Sequence, residues 1–209
     1  MYDGHIFIVH YKPCVDRKQY LTAYFNACGF TKYTFVDDYQ REDFTMELRN
    51  AYFNPNVRLP AAVYCITISH IEIYKKILAL GLNSCLILED DAILCDDFLT
   101  VLDSYLTELP SDVDMAFLNN GCGLHATANK VNTYWHRHNK SRTCCAYIIT
   151  AQCITKLLTT MVPCNQAIDH ELNTQIALHN FHVYWCEPTI VSDGSNKIYQ
   201  NSYDPRQLV

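Results

Sequence analysis

No apolar stretch in this 209-residue chain is long enough to cross a bilayer, and runs such as Cys85-Leu86-Ile87-Leu88 stop at carboxylates after a few residues. A spanning helix needs about 20 apolar residues in succession. Basic clusters are missing too: 16 Lys and Arg against 22 Asp and Glu leave a net charge of −6. That balance argues against sequence-independent nucleic-acid binding, which neutralises phosphates with basic side chains, and against an anionic membrane surface. The eleven cysteines include no C-x-x-C pair, so neither a zinc ribbon nor a thioredoxin-type site is indicated. No G-x-x-x-x-G-K-S/T loop is present, which weighs against an NTPase. The first residues lack the basic and apolar regions of a secretory signal. Cys65, Cys85 and Cys153 lie inside apolar runs, where a thiol behaves as a small hydrophobe. A reduced, cytoplasmic protein is the expectation.

What is present suits one α/β domain spanning 1–209, since 49% of residues are hydrophobic and can bury a core. His5–Tyr11 reads as a buried first strand, Asp16–Cys28 as a helix capped by Asp16 and ended by Gly29, and Thr31–Val36 as a second strand. The polar stretch 41–56 reads as a short helix and a surface loop. Pro60 to Leu80 reads as helical, although Ser69-His70-Ile71-Glu72 fits a capping box that could start a separate helix. Cys85–Leu88 reads as a central strand, and a helix capped by Asp96 or Asp97 follows it. Asp114–Leu118 is a further strand and Gly121–Ser141 an irregular loop over the site. Thr143–Thr150, helices over Ala151–Met161 and Asp169–Leu178, and a His182–Glu187 strand complete the chain. Such alternation predicts a mostly parallel sheet flanked by helices, with a ligand site at the strands' carboxyl ends.

Glu89-Asp90-Asp91 follows the Cys85–Leu88 run directly. Side chains two apart on an extended chain face one way, so Glu89 and Asp91 project together. Paired carboxylates repel unless a cation or donor lies between them. Mg²⁺ and Mn²⁺ commonly take one or two protein carboxylates plus substrate phosphates. The competing reading is a solvated turn or the cap of the next helix. Asp169-His170-Glu171 reads as a helix start whose acids stabilise the first turn. Arg17, Lys130, Arg137 and Arg142 are candidates for a diphosphate contact, against plain surface solvation. Tyr147 reads as core.

Leu88-Glu89-Asp90-Asp91 resembles the acidic motif of glycosyltransferase family 25, which includes lipopolysaccharide-type and collagen galactosyltransferases. Ile68-Ser69-His70 resembles that family's Ser-His helix, and Val9-His10-Tyr11 with Arg17 resembles its opening strand and arginine. Thr143–Thr150 resembles its Thr-x-Ala-Tyr-Ile-Ile strand with one extra residue, Ala167-Ile168-Asp169 its Pro-Ile-Asp segment, and Glu187-Pro188 with Gly194-Ser195 its C-terminal stretch. The blocks occur in the family's order.

The resemblance implies a single-domain GT-A type nucleotide-sugar-binding fold and a metal-dependent, inverting transferase. The donor would be a UDP-hexose (galactose or glucose), the ion Mn²⁺ or Mg²⁺, and the acceptor a glycan, lipid-linked or protein hydroxyl. It implies Asp91, with Glu89, as metal ligand, and Val9, Tyr11, Arg17, Glu89 and Asp90 around the nucleotide. His70 would support the site, Asp169 would be the base with Glu171 its understudy, and His182 or His179 a later metal ligand. Three departures stand out: Ala167 replaces proline, Asp193 stands where glutamine is usual, and the chain is shorter than many members. Other readings are a nucleotidyltransferase or phosphohydrolase using the same acids, and a degenerate transferase fold serving as a binding module.

Overall fold

The computed structural model describes residues 2–195, so the 1–209 domain reading extends past the described residues at both ends. β1 (Ile6–Val9), α1 (Val15–Ala27) and β2 (Tyr33–Val36) form the opening unit. α2 (Met46–Tyr52), α3 (Ala61–Ala79), β3 (Ser84–Glu89), β4 (Ala92–Leu94), α4 (Phe98–Thr107) and β5 (Met115–Phe117) follow. β6 (Trp135–His138), β7 (Ala146–Thr150), α5 (Ala151–Thr160), α6 (Ile168–His179), β8 (Val183–Cys186) and β9 (Val191–Asp193) complete the order. The main sheet has seven strands ordered β2-β1-β3-β7-β5-β8-β6, and β4 pairs with β9 in a separate two-stranded ribbon. In the main sheet β2, β1, β3, β5 and β8 run one way, while β7 and β6 run against them. The expected mixed α/β architecture, a mostly parallel sheet flanked by helices, is what forms.

Alternation along the strands explains why helices cover both faces. Ile6, Ile8, Leu86 and Leu88 point into one core with Leu21 and Phe25 of α1 and Phe98, Leu99 and Leu102 of α4. Phe7, Val9 and Ile87 point the opposite way, into a core with residues of α3, α5 and α6. Each fully buried Ile, Leu or Phe contributes about 1.5–3 kcal/mol, and a strand with no polar face has no stable position except between two layers. Gly29 and Gly81 follow α1 and α3 with φ of 65° and 66°, a left-handed conformation that needs no Cβ, and both helices stop there as expected.

Several expectations need correction. α3 is continuous from Ala61 to Ala79, so Ser69-His70 does not begin a helix; both residues are buried within it. Apolar residues on both sides of the Ser-His pair outweigh the capping-box pattern. Asp16 lies in the first turn of α1 and does not cap it. Asp97 occupies the N-cap position of α4 in a left-handed conformation without a side-chain cap; the Tyr24 hydroxyl accepts from the Phe98 N–H instead, at 2.7 Å. The 121–141 stretch is not all loop, because Trp135–His138 forms β6, antiparallel to β8. Its Trp-His-Arg-His composition hid an edge strand whose tryptophan is fully buried. β6 is the far edge of the sheet from β1 and β3, so it does not cover their ends.

Candidate active site

β1 lies between β2 and β3, so the chain leaves β1 toward one side and later returns to the other. A crevice opens where strand order reverses in this way, beyond the strands' carboxyl ends. A cavity of about 350 Å³ occupies that position. Val9, His10 and Tyr11 at the end of β1 line it together with Glu89, Asp90 and Asp91 after β3. α3 contributes Ala62, Cys65, Ile66 and Ser69, a spacing that puts one helix face toward the cavity. Tyr39, Arg41, Cys14, Arg17 and Ser195 complete the wall. The wall thus combines apolar and aromatic side chains with charged ones.

Asp90 is the anchor of the charged side chains. Its Oδ2 accepts from His10 Nδ1 at 2.8 Å and from the Tyr11 N–H at 3.0 Å, and its Oδ1 accepts from Arg17 Nη1 at 2.8 Å. With both oxygens occupied, Asp90 ties β1, α1 and the acidic turn together. Glu89 and Asp91 are left facing the cavity, although the chain turns at Asp90 and Asp91 and is not extended there. Glu89 Oε1 accepts from His70 Nε2 at 3.2 Å. Asp91 Oδ2 accepts from the Ser195 hydroxyl, and Arg17 Nη1 stands 4.0 Å from it. Gly194 N–H donates to the Asp91 carbonyl at 2.9 Å, so the β9 end folds back over the acidic turn.

Electrostatically the two carboxylates are under-compensated. Burial raises Glu89 to about 8, and the charges of Asp193, Asp90 and Asp169 push the same way. Burial and the neighbouring Glu89 raise Asp91 to about 7, against the Ser195 hydrogen bond and Arg17. Among the described residues no set of three His, Cys, Asp or Glu side chains forms a complete metal cage. The turn offers two hard oxygen donors, which suits an ion that completes its shell with water and phosphate.

Other expected site residues divide sharply. His70 is fully buried between Glu89 and Tyr147; burial lowers it to about 3, so it is a neutral imidazole. Asp169, in the first turn of α6, bears electrostatically on both Glu89 and His70, although it does not line the cavity. Glu171 is 2% exposed and its oxygens accept from the Asn165 N–H and the Gln175 amide, so the understudy base is corrected to a packing residue. His182 is corrected as well. It precedes β8, at the amino ends of the strands parallel to β3, and pairs with Asp112 at 2.6 Å. The length of β3, roughly 17 Å, separates that edge from Glu89. His179 bonds Thr160 on α5. Arg142 cannot reach a diphosphate: it is fully buried and donates to the carbonyls of Leu124 and Cys186 and to Glu187. Arg137 is held by Asp112 and Tyr184.

Sequence reasoning missed Tyr39, Arg41, Cys14, Cys65 and Ile66. Only the α3 residues carried a usable signal, the recurrence of small or apolar positions at helical spacing ahead of Ser69. Tyr39 and Arg41 lie in a polar stretch that shows no periodicity.

The fold and the cavity define an α/β protein with paired carboxylates at the topological switch point of its sheet. A family model described as "Glycosyltransferase family 25 (LPS biosynthesis protein)" matches residues 3–172, and the chain belongs to that family. A curated relative, "Procollagen lysyl hydroxylase and glycosyltransferase" of Acanthamoeba polyphaga mimivirus, is 34% identical over 73 residues, which are 35% of this chain and 8% of that protein. The chain therefore corresponds to a small part of that relative's length. Among solved structures, A197 from STIV aligns over 91% of this chain and 83% of its own, with 11% identity and a TM-score of 0.49. Among the described residues no helix is long and apolar enough to cross a membrane.

Proposed function

We propose that this protein is a glycosyltransferase that moves a hexose, galactose or glucose, from a UDP-sugar to an acceptor hydroxyl. The transfer would use Mn²⁺ or Mg²⁺ at Glu89 and Asp91 and invert the anomeric carbon on a GT-A type nucleotide-binding fold. The observation that carries this reading is a cavity at the switch point whose wall combines apolar and aromatic side chains with the paired carboxylates and Arg17. A nucleoside diphosphate has the same mixed character. Its base fits beside Val9, Tyr11, Tyr39 and Ile66, while its phosphates reach Arg17 and the acidic turn. Glu89 and Asp91 fit a divalent ion because each is a hard donor raised by burial and like charge, a condition that a cation relieves. When bound, the ion neutralises charge growing on the departing diphosphate.

The chain's own residues do the rest. Asp90 fixes Arg17 toward the phosphates, and His70 holds one oxygen of Glu89. Asp169 stands at the start of α6 with its Oδ1 accepting from the His170 N–H at 2.9 Å, and it takes the acceptor's proton. The acceptor oxygen bonds to the anomeric carbon as the bond to the diphosphate breaks, and the nucleoside diphosphate leaves. A single displacement of this kind inverts configuration. The relative's name joins glycosyl transfer to procollagen lysine hydroxylation, which favours a protein hydroxyl as the acceptor to try first.

The test incubates the full chain with UDP-galactose or UDP-glucose, Mn²⁺ and a hydroxylysine-bearing peptide. UDP and a glycosylated product are expected, with both lost on chelation. Release of pyrophosphate, or turnover indifferent to chelation, would overturn the reading.

A further inference from the structure

The side of Glu89 away from the cavity is closed by an unbranched line of polar groups. Glu89 Oε1 is 3.2 Å from His70 Nε2, His70 Nδ1 is 2.8 Å from the Tyr147 hydroxyl, and that hydroxyl is 2.7 Å from the hydroxyl of Tyr74. His70, Tyr74 and Tyr147 are all 0% exposed. His70 and Tyr74 are one turn apart on α3, and Tyr147 lies on β7 opposite Ile87 of β3. Three polar side chains therefore run through a core built mainly of aliphatic, aromatic and sulfur-bearing side chains. Phenylalanine would fill either tyrosine's place without a polar group to satisfy, and burying such groups is costly unless each is bonded.

We propose that Tyr74, Tyr147 and His70 form a positioning device that orients the Glu89 carboxylate for the ion and diphosphate. This rests on the proposed function. The direction of every bond follows from the Glu89 end. A carboxylate serving as a ligand only accepts, so His70 Nε2 must carry the hydrogen. With its hydrogen on Nε2 the imidazole presents a lone pair at Nδ1, and the Tyr147 hydroxyl 2.8 Å away donates to it. The Tyr147 oxygen then accepts from the Tyr74 hydroxyl. Both phenols keep their protons, because burial raises them well above the ordinary phenol range. One tautomer and one ring orientation satisfy the whole line. Without the Tyr147 donor, the imidazole can move its hydrogen to Nδ1 and turn a lone pair on Glu89. Partners of this kind behind a metal ligand are commonly worth about 10- to 100-fold in metal affinity.

The experiment titrates Mn²⁺ into the full chain in the presence of UDP, by calorimetry and by the paramagnetic resonance of free Mn²⁺, alongside urea denaturation. Tyr147→Phe is expected to weaken Mn²⁺ binding by roughly 10- to 100-fold, and Tyr74→Phe by less, because Tyr147 keeps its own donor. His70→Gln, whose amide N–H can still face Glu89, should recover part of what His70→Ala loses. A purely structural role would lower stability and leave Mn²⁺ affinity alone. If folded Tyr147→Phe and His70→Ala bind Mn²⁺ as the wild type does, the inference falls while the proposed function stands. If Tyr147→Phe does not fold, Tyr74→Phe and His70→Gln decide it: wild-type affinity in both overturns it. A wild-type chain that binds no Mn²⁺ with UDP defeats the proposed function, and this inference with it.

Discussion

The acidic turn and the rest of the molecule handle charge in opposite ways. Away from the cavity, Asp112 accepts from Tyr184, His182 and Arg137, and its carboxyl is lowered, chiefly by the Tyr184 hydrogen bond. Arg142 and Glu187 face each other at 2.6 Å, and Glu171 is satisfied by two donors. These groups need nothing from outside. At the switch point Glu89 and Asp91 are raised, with Asp193 adding to the field on both and Arg17 committed first to Asp90. Saturated charge marks scaffold, and charge left over inside a cleft marks a place where something binds.

The contrast is most easily broken at Asp91. Asp91→Asn should abolish Mn²⁺-dependent UDP binding and transfer together, a loss beyond the roughly 100-fold upper figure for removing a ligand's supporting partner. Glu171→Gln should leave Mn²⁺ binding intact and destabilise the fold by about 1–3 kcal/mol, the range for disturbing a buried hydrogen-bonded group. Calorimetry with denaturant unfolding separates the two. If both acids behaved alike, the division between scaffold and site would be wrong.

Asp169→Asn comes next. Loss of a general base costs roughly 10²- to 10⁴-fold in turnover, while Mn²⁺ and UDP binding should hold, since Asp169 does not line the cavity. Steady-state kinetics showing an unchanged kcat would remove Asp169 from the reaction. The scaffold side is sharpened by Arg142→Met, which strips donors from two carbonyls and from Glu187. It should cost about 3 kcal/mol in urea unfolding, as breaking a buried pair does, with donor affinity unaffected.

Legibility in the sequence follows the same line. Six of the seven main-sheet strands and the helices were legible because apolar runs and glycine stops are local signals, whereas the short strands β4, β6 and β9 were not. Glu89 and Asp91 were legible because a buried apolar run that ends in acids sets carboxylates at a strand's carboxyl end, where open α/β sheets bind ligands. His182 and Arg142 misled because residue type says what a side chain can bind, whereas position in the sheet decides what it does bind. One lies at the opposite strand end and the other inside the core. Tyr39 and Arg41 were invisible because a cavity wall built from a loop has no period. The role of Asp90 was also hidden: its partners His10, Tyr11 and Arg17 are more than seventy residues away in sequence, and only the β1–β3 pairing brings them together.

The smallest expected effect is the pH dependence of the ligand-free protein. A carboxyl raised in the folded state binds more protons there than in the unfolded chain, so stability falls as pH rises between the two values. For Asp91 the window runs from 3.8 to about 7 and for Glu89 from 4.5 to about 8. His70, lowered from 6.5 to about 3, works in the opposite sense, because its neutral folded form loses stability as pH falls below its unfolded value. The two trends overlap between 3.8 and 6.5, and of these three groups only the carboxylates still titrate above that. The melting temperature should therefore decline between pH 6.5 and 8, and the Glu89→Gln, Asp91→Asn double variant should flatten that decline. Adding Mn²⁺ and UDP should remove the slope in the wild type, because an ion that holds both carboxylates ionised replaces the protons. A slope unchanged in the double variant would mean that the acidic turn is already balanced, and that its likeness to the saturated clusters is closer than its geometry suggests.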